Sequence, residues 1–363
     1  MKSVNKSENP QLSRRDFLAV SALFGAAATP LVWKTYAQAS PYPNLLPQSR
    51  PKDGKLEDLI GFYKKQGVLP IIDVHSHIAP DVTLAEIIRK IDEAGVVKIG
   101  LMALSGATDE KTITFYKGQP TRIIPFIAFQ VEGWRDQRVL YDMGVPSHRR
   151  RMVEGDVERK LHFFYNEVKK KAESGRYAAL GEVILRHYAW EGIRAMEFSI
   201  PADSEYTTKF ADLAAKHKMP MTIHLEAEDE TLRQLENLLG HNKDAKIVWG
   251  HAGKAQLGTL RHLLSKHQNL YCDIAGLAPV LPYGRVNNPF FDSNTHEYKQ
   301  GSRNLFEEFP DRFMLGADAV LQRHWEQFYT QEMKFFRQAL LQLQLPVAEM
   351  IAYQNAVKIF NLK

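Results

Sequence analysis

From residue 69 onward, short apolar runs alternate with amphipathic stretches. The runs at Leu69–His77, Val97–Leu104, Ile123–Phe129, Ala178–Leu185, Met221–Leu225, Ile247–His251, Leu270–Ile274 and Phe313–Asp318 are almost continuously apolar. Strands buried on both faces of a parallel sheet have this character. The stretches between them repeat with a helical period. The clearest begins near Asp81, sets Leu84, Ile87, Ile88 and Ile91 on one face and stops at Gly95, a residue that ends helices well. Further helices are expected over Val157–Lys171, Thr207–Lys216, Thr231–Leu239, Leu257–Ser265, Glu326–Leu343 and Val347–Phe360.

Eight strand-then-helix units predict an α/β fold of the (β/α)8 TIM barrel type in a single domain. A doubly wound sheet is the rival, but no Gly-x-Gly-x-x-Gly or phosphate loop follows the first strand. A Gly-x-Ser-x-Gly elbow is also missing from the sequence. Two connections are long, 130–156 after the third strand and 276–303 after the seventh. Loops that follow strands line the catalytic face of such barrels, so both are candidate substrate walls.

The start of the chain breaks the alternation. Residues 13–18 read Ser-Arg-Arg-Asp-Phe-Leu, an apolar run follows from Phe17 to Val32, and Ala37-Gln38-Ala39 comes next. A charged leader, a moderate apolar stretch and a small-x-small site make a signal peptide over 1–39. The paired Arg14 and Arg15 resemble a twin-arginine export signal, although Ala19 stands where that signal carries Lys. The apolar run contains Gly25 and Pro30 and is shorter than the roughly 20 residues that span a bilayer, so no permanent membrane anchor is expected. The resemblance implies recognition by the twin-arginine export machinery and a periplasmic or secreted location. A polar, Pro-rich lead-in occupies 40–68, and the barrel is expected over 69–363.

The leader alters the charge balance. The 363 residues hold 47 basic and 42 acidic side chains, a net +5. Cleavage after Ala39 removes Lys2, Lys6, Arg14, Arg15 and Lys34 with Glu8 and Asp16, which leaves the mature chain near +2. A near-neutral chain counts against nucleic acid as a partner, since phosphate backbones are bound by clustered Lys and Arg. One cysteine excludes an internal disulfide, a zinc ribbon and a Cys-x-x-Cys redox pair. It suits a protein that folds before it leaves the cytoplasm.

Ligand-type side chains cluster at the ends of the apolar runs. The first run ends Asp73-Val74-His75-Ser76-His77, and spacing of two on a strand turns both imidazoles to one face. The fourth run carries Gly181-Glu182, the fifth Ile223-His224, the sixth Gly250-His251 and the eighth Gly316-Ala317-Asp318. Charged groups closing apolar strands are costly unless paired or coordinated. A divalent cation would satisfy all of them together, with zinc first for a His and carboxylate set and manganese also compatible.

Asp-x-His-x-His, the two later histidines and Asp318 resemble the amidohydrolase superfamily. The tail Gln354-Asn355-Ala356-Val357-Lys358-Ile359-Phe360-Asn361-Leu362 is similar to the Asn-Ala-x-x-x-Phe-x-Leu ending of its amidohydrolase-related branch, which holds aromatic-acid and aminocarboxymuconate-semialdehyde decarboxylases and some lactonases. The resemblance implies His75, His77 and His224 as metal ligands and Asp318 as ligand and proton shuttle. It implies His251 as the group that polarises water or substrate, or that holds a second metal. Ala179-Leu180-Gly181-Glu182 looks more like TatD-type deoxyribonucleases and some phosphotriesterase-like members, where a glutamate on the fourth strand bridges two metals. Glu182 could otherwise pair with Arg186 or orient a histidine. These features predict a small-molecule hydrolase acting on an ester, lactone or amide. The alternatives are a non-oxidative decarboxylase of an unsaturated or aromatic acid, a phosphodiesterase or nuclease, and a non-catalytic metal-binding barrel. Exposed helix faces in such barrels often form homodimers, and nothing in the sequence decides that.

Weaker candidates surround these. Asp73 could position His77, and Arg186 and His187 could meet a substrate anion. Trp134, Arg135, Tyr283, Arg285 and His296 fall in the long loops. The basic run His148-Arg149-Arg150-Arg151 reads as a solvated face and Cys272 as core, while Asp273 could face either way.

Overall fold

The computed structural model describes residues 40–363 apart from 53, 80, 105–107, 130–131, 143–144, 189–196 and 282. The leader expected over 1–39 lies outside the described residues. Among those described, eight parallel barrel strands run in chain order: β1 (Ile71–Ile78), β2 (Val96–Ala103), β3 (Ile123–Ile127), β4 (Ala179–His187), β5 (Met221–Leu225), β6 (Ile247–Trp249), β7 (Leu270–Asp273) and β8 (Phe313–Met314). A short segment, Phe198–Ser199, pairs antiparallel with the end of β4. Leu315 bridges back to Asp73 on β1, and the Val74 amide donates to the Leu315 carbonyl at 2.8 Å. The sheet thus closes on itself into the (β/α)8 barrel that the alternating pattern predicts. Its strands are mostly apolar because helices cover their outer faces.

The local chemistry of the elements matches their sequence. The helix Leu84–Ala94 starts on Thr83, whose side chain accepts from the Glu86 amide, and ends on Gly95 at φ 69°. A side chain there would meet the left-handed penalty that glycine escapes. The helix after β3 extends further upstream than expected, over Ser147–Glu173. Residues 148–156 are mostly exposed and carry no apolar period, so pattern alone reads them as loop. His148 to Arg151 therefore form the opening turns of a helix.

Two strands end sooner than their apolar runs. β6 stops at Trp249, and His251 lies in a turn at φ 55°. β8 stops at Met314, and Asp318 has φ 54°. Gly250, Gly253 and Gly316 allow the backbone to pass close to its neighbours there. A Cβ on Gly253 would sit 2.0 Å from the Trp249 ring, and one on Gly316 would sit 2.7 Å from the His75 Cβ.

The lead-in is built into the barrel. Leu56, Leu59 and Tyr63 of the helix Leu56–Lys65 are buried, and Asn44 bridges to Val68. At the floor, the fully buried Arg337 donates to the carbonyls of Leu69, Gly95 and Leu45 at 2.7, 2.9 and 2.8 Å. No described helix is long and apolar enough to cross a membrane.

Candidate metal centre

All six residues expected to bind metal meet at the carboxyl-terminal mouth of the barrel. His75 and His77 project from β1 to one side, with ring centroids 5.4 Å apart, as their spacing predicts. Their Nε2 atoms lie 3.8 and 3.3 Å from Asp318 Oδ1. The Glu182 carboxylate of β4 sits among four imidazoles. Its Oε1 is 2.7 Å from His224 Nδ1, 3.3 Å from His251 Nε2 and 3.5 Å from His75 Nε2. Its Oε2 is 3.7 Å from His77 Nε2. Arg186 is not its partner: that guanidinium pairs with Glu228 at 3.0 Å and Glu197 at 3.2 Å.

The donors fall into two groups that share His75. One is His75, His77 and Asp318, and the other is His75, Glu182 and His251. His224 joins the second group through Nδ1, 3.2 Å from His251 Nε2. A tetrahedral cation with ligands about 2.0–2.2 Å away spaces them roughly 3.4 Å apart. Most of the separations above cluster near that value. The closest, between His224 and Glu182, is a hydrogen bond.

The backs of the rings are also fixed. His75 Nδ1 contacts Asp273 Oδ2 at 3.0 Å, and His251 Nδ1 contacts the Ala275 carbonyl at 2.8 Å. An acceptor behind each ring places the proton on Nδ1 and turns the Nε2 lone pair inward. Those lone pairs then face each other and the carboxylates, an arrangement that requires cations between them. Among the described residues, His75 Nε2 faces the cluster buried and without a hydrogen-bond partner. The donor set fits a divalent metal.

Without metal, protons take up that role. Burial alone would lower the pKa of His75, but the charges of Asp273 and Glu182 raise it well above the usual imidazole range. His224, subject to the same penalty, is raised to about 9 by Glu182 and Glu226. Burial would raise Glu182, yet His224 and His75 hold it well below the usual carboxylate range. Asp318 is likewise depressed against burial, by its hydrogen bond to His77 and by the charges of His251 and His75.

Asp273 has a larger role than its sequence suggests. Besides His75, it accepts the backbone amides of His251 at 2.9 Å and Ala275 at 3.1 Å. One buried carboxylate thus holds the His75 ring and the backbone of the turn that carries His251. The run Leu270-Tyr-Cys-Asp offers no alternation that would reveal which way Asp273 turns. Glu226 is equally unmarked by the sequence pattern. It is buried, and its Oε1 lies 3.8 Å from His224 Nε2.

The weaker candidates divide. His187 lies beside the cluster, its ring 4.7 Å from that of His224. Asp73 does not touch His77: it accepts the His75 and Ala317 amides and the hydroxyls of Ser76 and Tyr329. Trp134 is core, fully buried with Nε1 bonded to the Ile184 carbonyl at 3.0 Å. Arg135 stacks over Phe198, Arg285 donates to the Pro279 carbonyl, and His296 packs near Phe335. Cys272 is buried.

Comparison with known proteins agrees with this layout. The amidohydrolase family model matches residues 194–362, a span that includes His224, His251 and Asp318. No curated protein sequence matches the chain. Among solved structures, a candidate 2-pyrone-4,6-dicarboxylic acid hydrolase from Pseudomonas putida is 11% identical, with a TM-score of 0.52 over 81% of this chain and 98% of that one. An uncharacterised TIM-barrel protein from Bordetella bronchiseptica is 11% identical, with a TM-score of 0.50 over 81% of this chain and 99% of that one. At such identities the likeness establishes the fold alone. The family match over the second half of the barrel, together with that fold, supports a metal-dependent hydrolase of the amidohydrolase superfamily.

Proposed function

We propose that the chain is an exported hydrolase that holds two divalent cations and cleaves an ester, lactone or amide bond of a small molecule. The observation that carries this reading is the Glu182 carboxylate, whose two oxygens reach toward all four imidazoles. In this reading His75, His77 and Asp318 would hold one ion, His224 and His251 would hold the other, and Glu182 would serve both. Zinc suits the nitrogen-rich donor set best. Bound there, the cations supply water activation near neutral pH and neutralise developing negative charge.

The chain's own groups handle the protons. Asp318 is the partly open member of the cluster, with 22% of its side chain exposed, and its depressed pKa keeps it ionised. It takes a proton from the attacking water and returns it to the leaving group. His251, fixed by the Ala275 carbonyl, turns Nε2 toward the same space and serves as a ligand. Export is supported by the features of residues 1–39, which would leave a near-neutral enzyme in the periplasm or outside the cell.

Decarboxylation of an unsaturated or aromatic acid is the second reading. The tail Asn355-Ala356 to Phe360-x-Leu362 favours it, through its likeness to the branch that contains such decarboxylases. Two measurements separate the readings. Elemental analysis of purified protein should find about two equivalents of metal, falling toward one in Glu182→Gln and largely lost in His75→Ala with His77→Ala. A panel of small esters, lactones and amides should be turned over without gas release. Carbon dioxide from an acid panel with no ester or lactone turnover would reject hydrolysis.

A further inference from the structure

Asp318 occupies a costly conformation next to very little strand. Its φ of 54° lies in the left-handed region, which a non-glycine residue occupies only when its surroundings over-determine it. β8 spans only Phe313–Met314, and the two residues before Asp318 belong to no regular element. Two anchors on β1, one main-chain carbonyl and one side-chain carboxylate, hold the turn. The Asp318 amide donates to the His75 carbonyl at 2.7 Å, and the Ala317 amide donates to Asp73 Oδ1 at 3.2 Å.

Asp73 makes the second anchor, and all of its acceptor capacity is engaged. Oδ1 also receives the His75 amide at 2.9 Å, and Oδ2 receives Ser76 Oγ at 2.8 Å and Tyr329 Oη at 2.9 Å. β1 itself is bulged here, since its register against β2 slips between Asp73 and Ser76. Tyr329 comes from the last long helix and is fully buried. Its ring stacks on Trp325, with centroids 4.9 Å apart and planes 22° from parallel. A π-helical turn, His324–Phe328, carries Trp325 and leads directly into Tyr329, the first residue of the helix, and such turns recur where a helix must present side chains to a site.

We propose that Asp73 and Tyr329 are positioning residues that brace the Ala317–Asp318 turn against β1. They set the separation between the Asp318 carboxylate and the two β1 imidazoles. Neither touches the space where substrate would sit. Tyr329 reaches Asp73 from outside the barrel, so an outer helix fixes the geometry of the inner site. The inference rests on the metal-binding reading of the cluster.

Cobalt(II) substitution tests it, because the visible absorption of bound cobalt reports coordination independently of turnover. The full mature chain is loaded with cobalt, and loss of the band in excess EDTA is timed for wild type, Tyr329→Phe and Ser76→Ala. Tyr329→Phe keeps the ring and its stacking but removes one hydrogen bond to Asp73. It should change the cobalt spectrum and speed metal loss about tenfold, the lower end of what losing an outer partner of a ligand costs. Ser76→Ala should act in the same direction. Thermal unfolding of the metal-free proteins should move little. Spectra and loss rates equal to wild type in both variants overturn the brace. So does an equal fall in the melting of metal-free and cobalt-loaded Tyr329→Phe, which would mark a merely structural contact. Wild type that takes up no cobalt refutes the metal reading itself and this inference with it. Normal uptake with insensitive variants refutes only the brace.

Discussion

Each ligand side chain has a conflict of charge that something must resolve. His75 Nε2 is fully buried and faces Glu182 and Asp318 at 3.5 and 3.8 Å. A proton resolves the conflict in metal-free protein, and a cation resolves it better. The sign of the pH effect follows. His224 is raised from an ordinary imidazole value of 6.5 to about 9. Its protonation stabilises the metal-free fold fully below pH 6.5, and that contribution is lost as the pH rises through 9. Metal-free protein should therefore melt progressively lower between pH 6.5 and 9, while metal-loaded protein should hold its melting point. Metal uptake should release protons near neutral pH, and its apparent affinity should climb toward pH 9. Calorimetric titration of zinc in two buffers of different ionisation enthalpy measures the proton count. A count of zero would remove the imidazolium description of the empty cluster.

At the scale of elements, the legible and illegible parts of the chain separate by period. The apolar runs gave all eight strands, and the helix ending at Gly95 was readable from Leu84, Ile87 and Ile91 with its stop. The turns at His251 and Asp318 were not. Both runs remain apolar past the last ladder bond, so hydrophobicity continues where geometry changes. Asp273 and Glu226 were equally hidden, because which way a buried carboxylate points depends on register and not on composition. The glycines next to these turns carry the information that the apolar pattern lacks. Gly316 is the clearest case: an added Cβ would lie 2.7 Å from the His75 Cβ and 2.8 Å from the Ala275 Cβ. Neither neighbour can rotate away, since both atoms are fixed to the backbone. Gly316→Ala should force the β8 end off β1 and β7, costing about 1–3 kcal/mol of overpacking. The cost should appear as a melting point lower by several degrees together with weaker metal retention in chelator. Unchanged retention with a lowered melting point would show that the site tolerates movement of this turn.

Across the whole molecule the two ends of the barrel perform different tasks. The mouth gathers ligand residues on strand ends and on two left-handed turns, and the floor gathers buried cations such as Arg337 and Arg312 on backbone carbonyls. Conservation of fold in such barrels depends on the floor, and chemistry depends on the mouth. The described residues of 40–54 belong to the floor. Tyr42 is buried and donates its hydroxyl to Glu349, Lys64 joins the same carboxylate at 2.9 Å, and the Leu45 carbonyl satisfies one arm of Arg337. Removing this strap would leave the fully buried Arg337 with one arm unpaired and would expose the seam where β1 and β2 begin. An unsatisfied buried donor costs about 1–3 kcal/mol, and more when charged. A chain starting at Lys55 should therefore melt several degrees below one starting at Ser40, and lose secondary structure earlier in urea. Its metal content and its cobalt spectrum should match those of the longer chain, because no strap residue contacts the cluster among the described residues. A normal melting point would show that the strap is dispensable. A lost metal complement with a normal melting point would show that floor and mouth are coupled, against the division of labour described here.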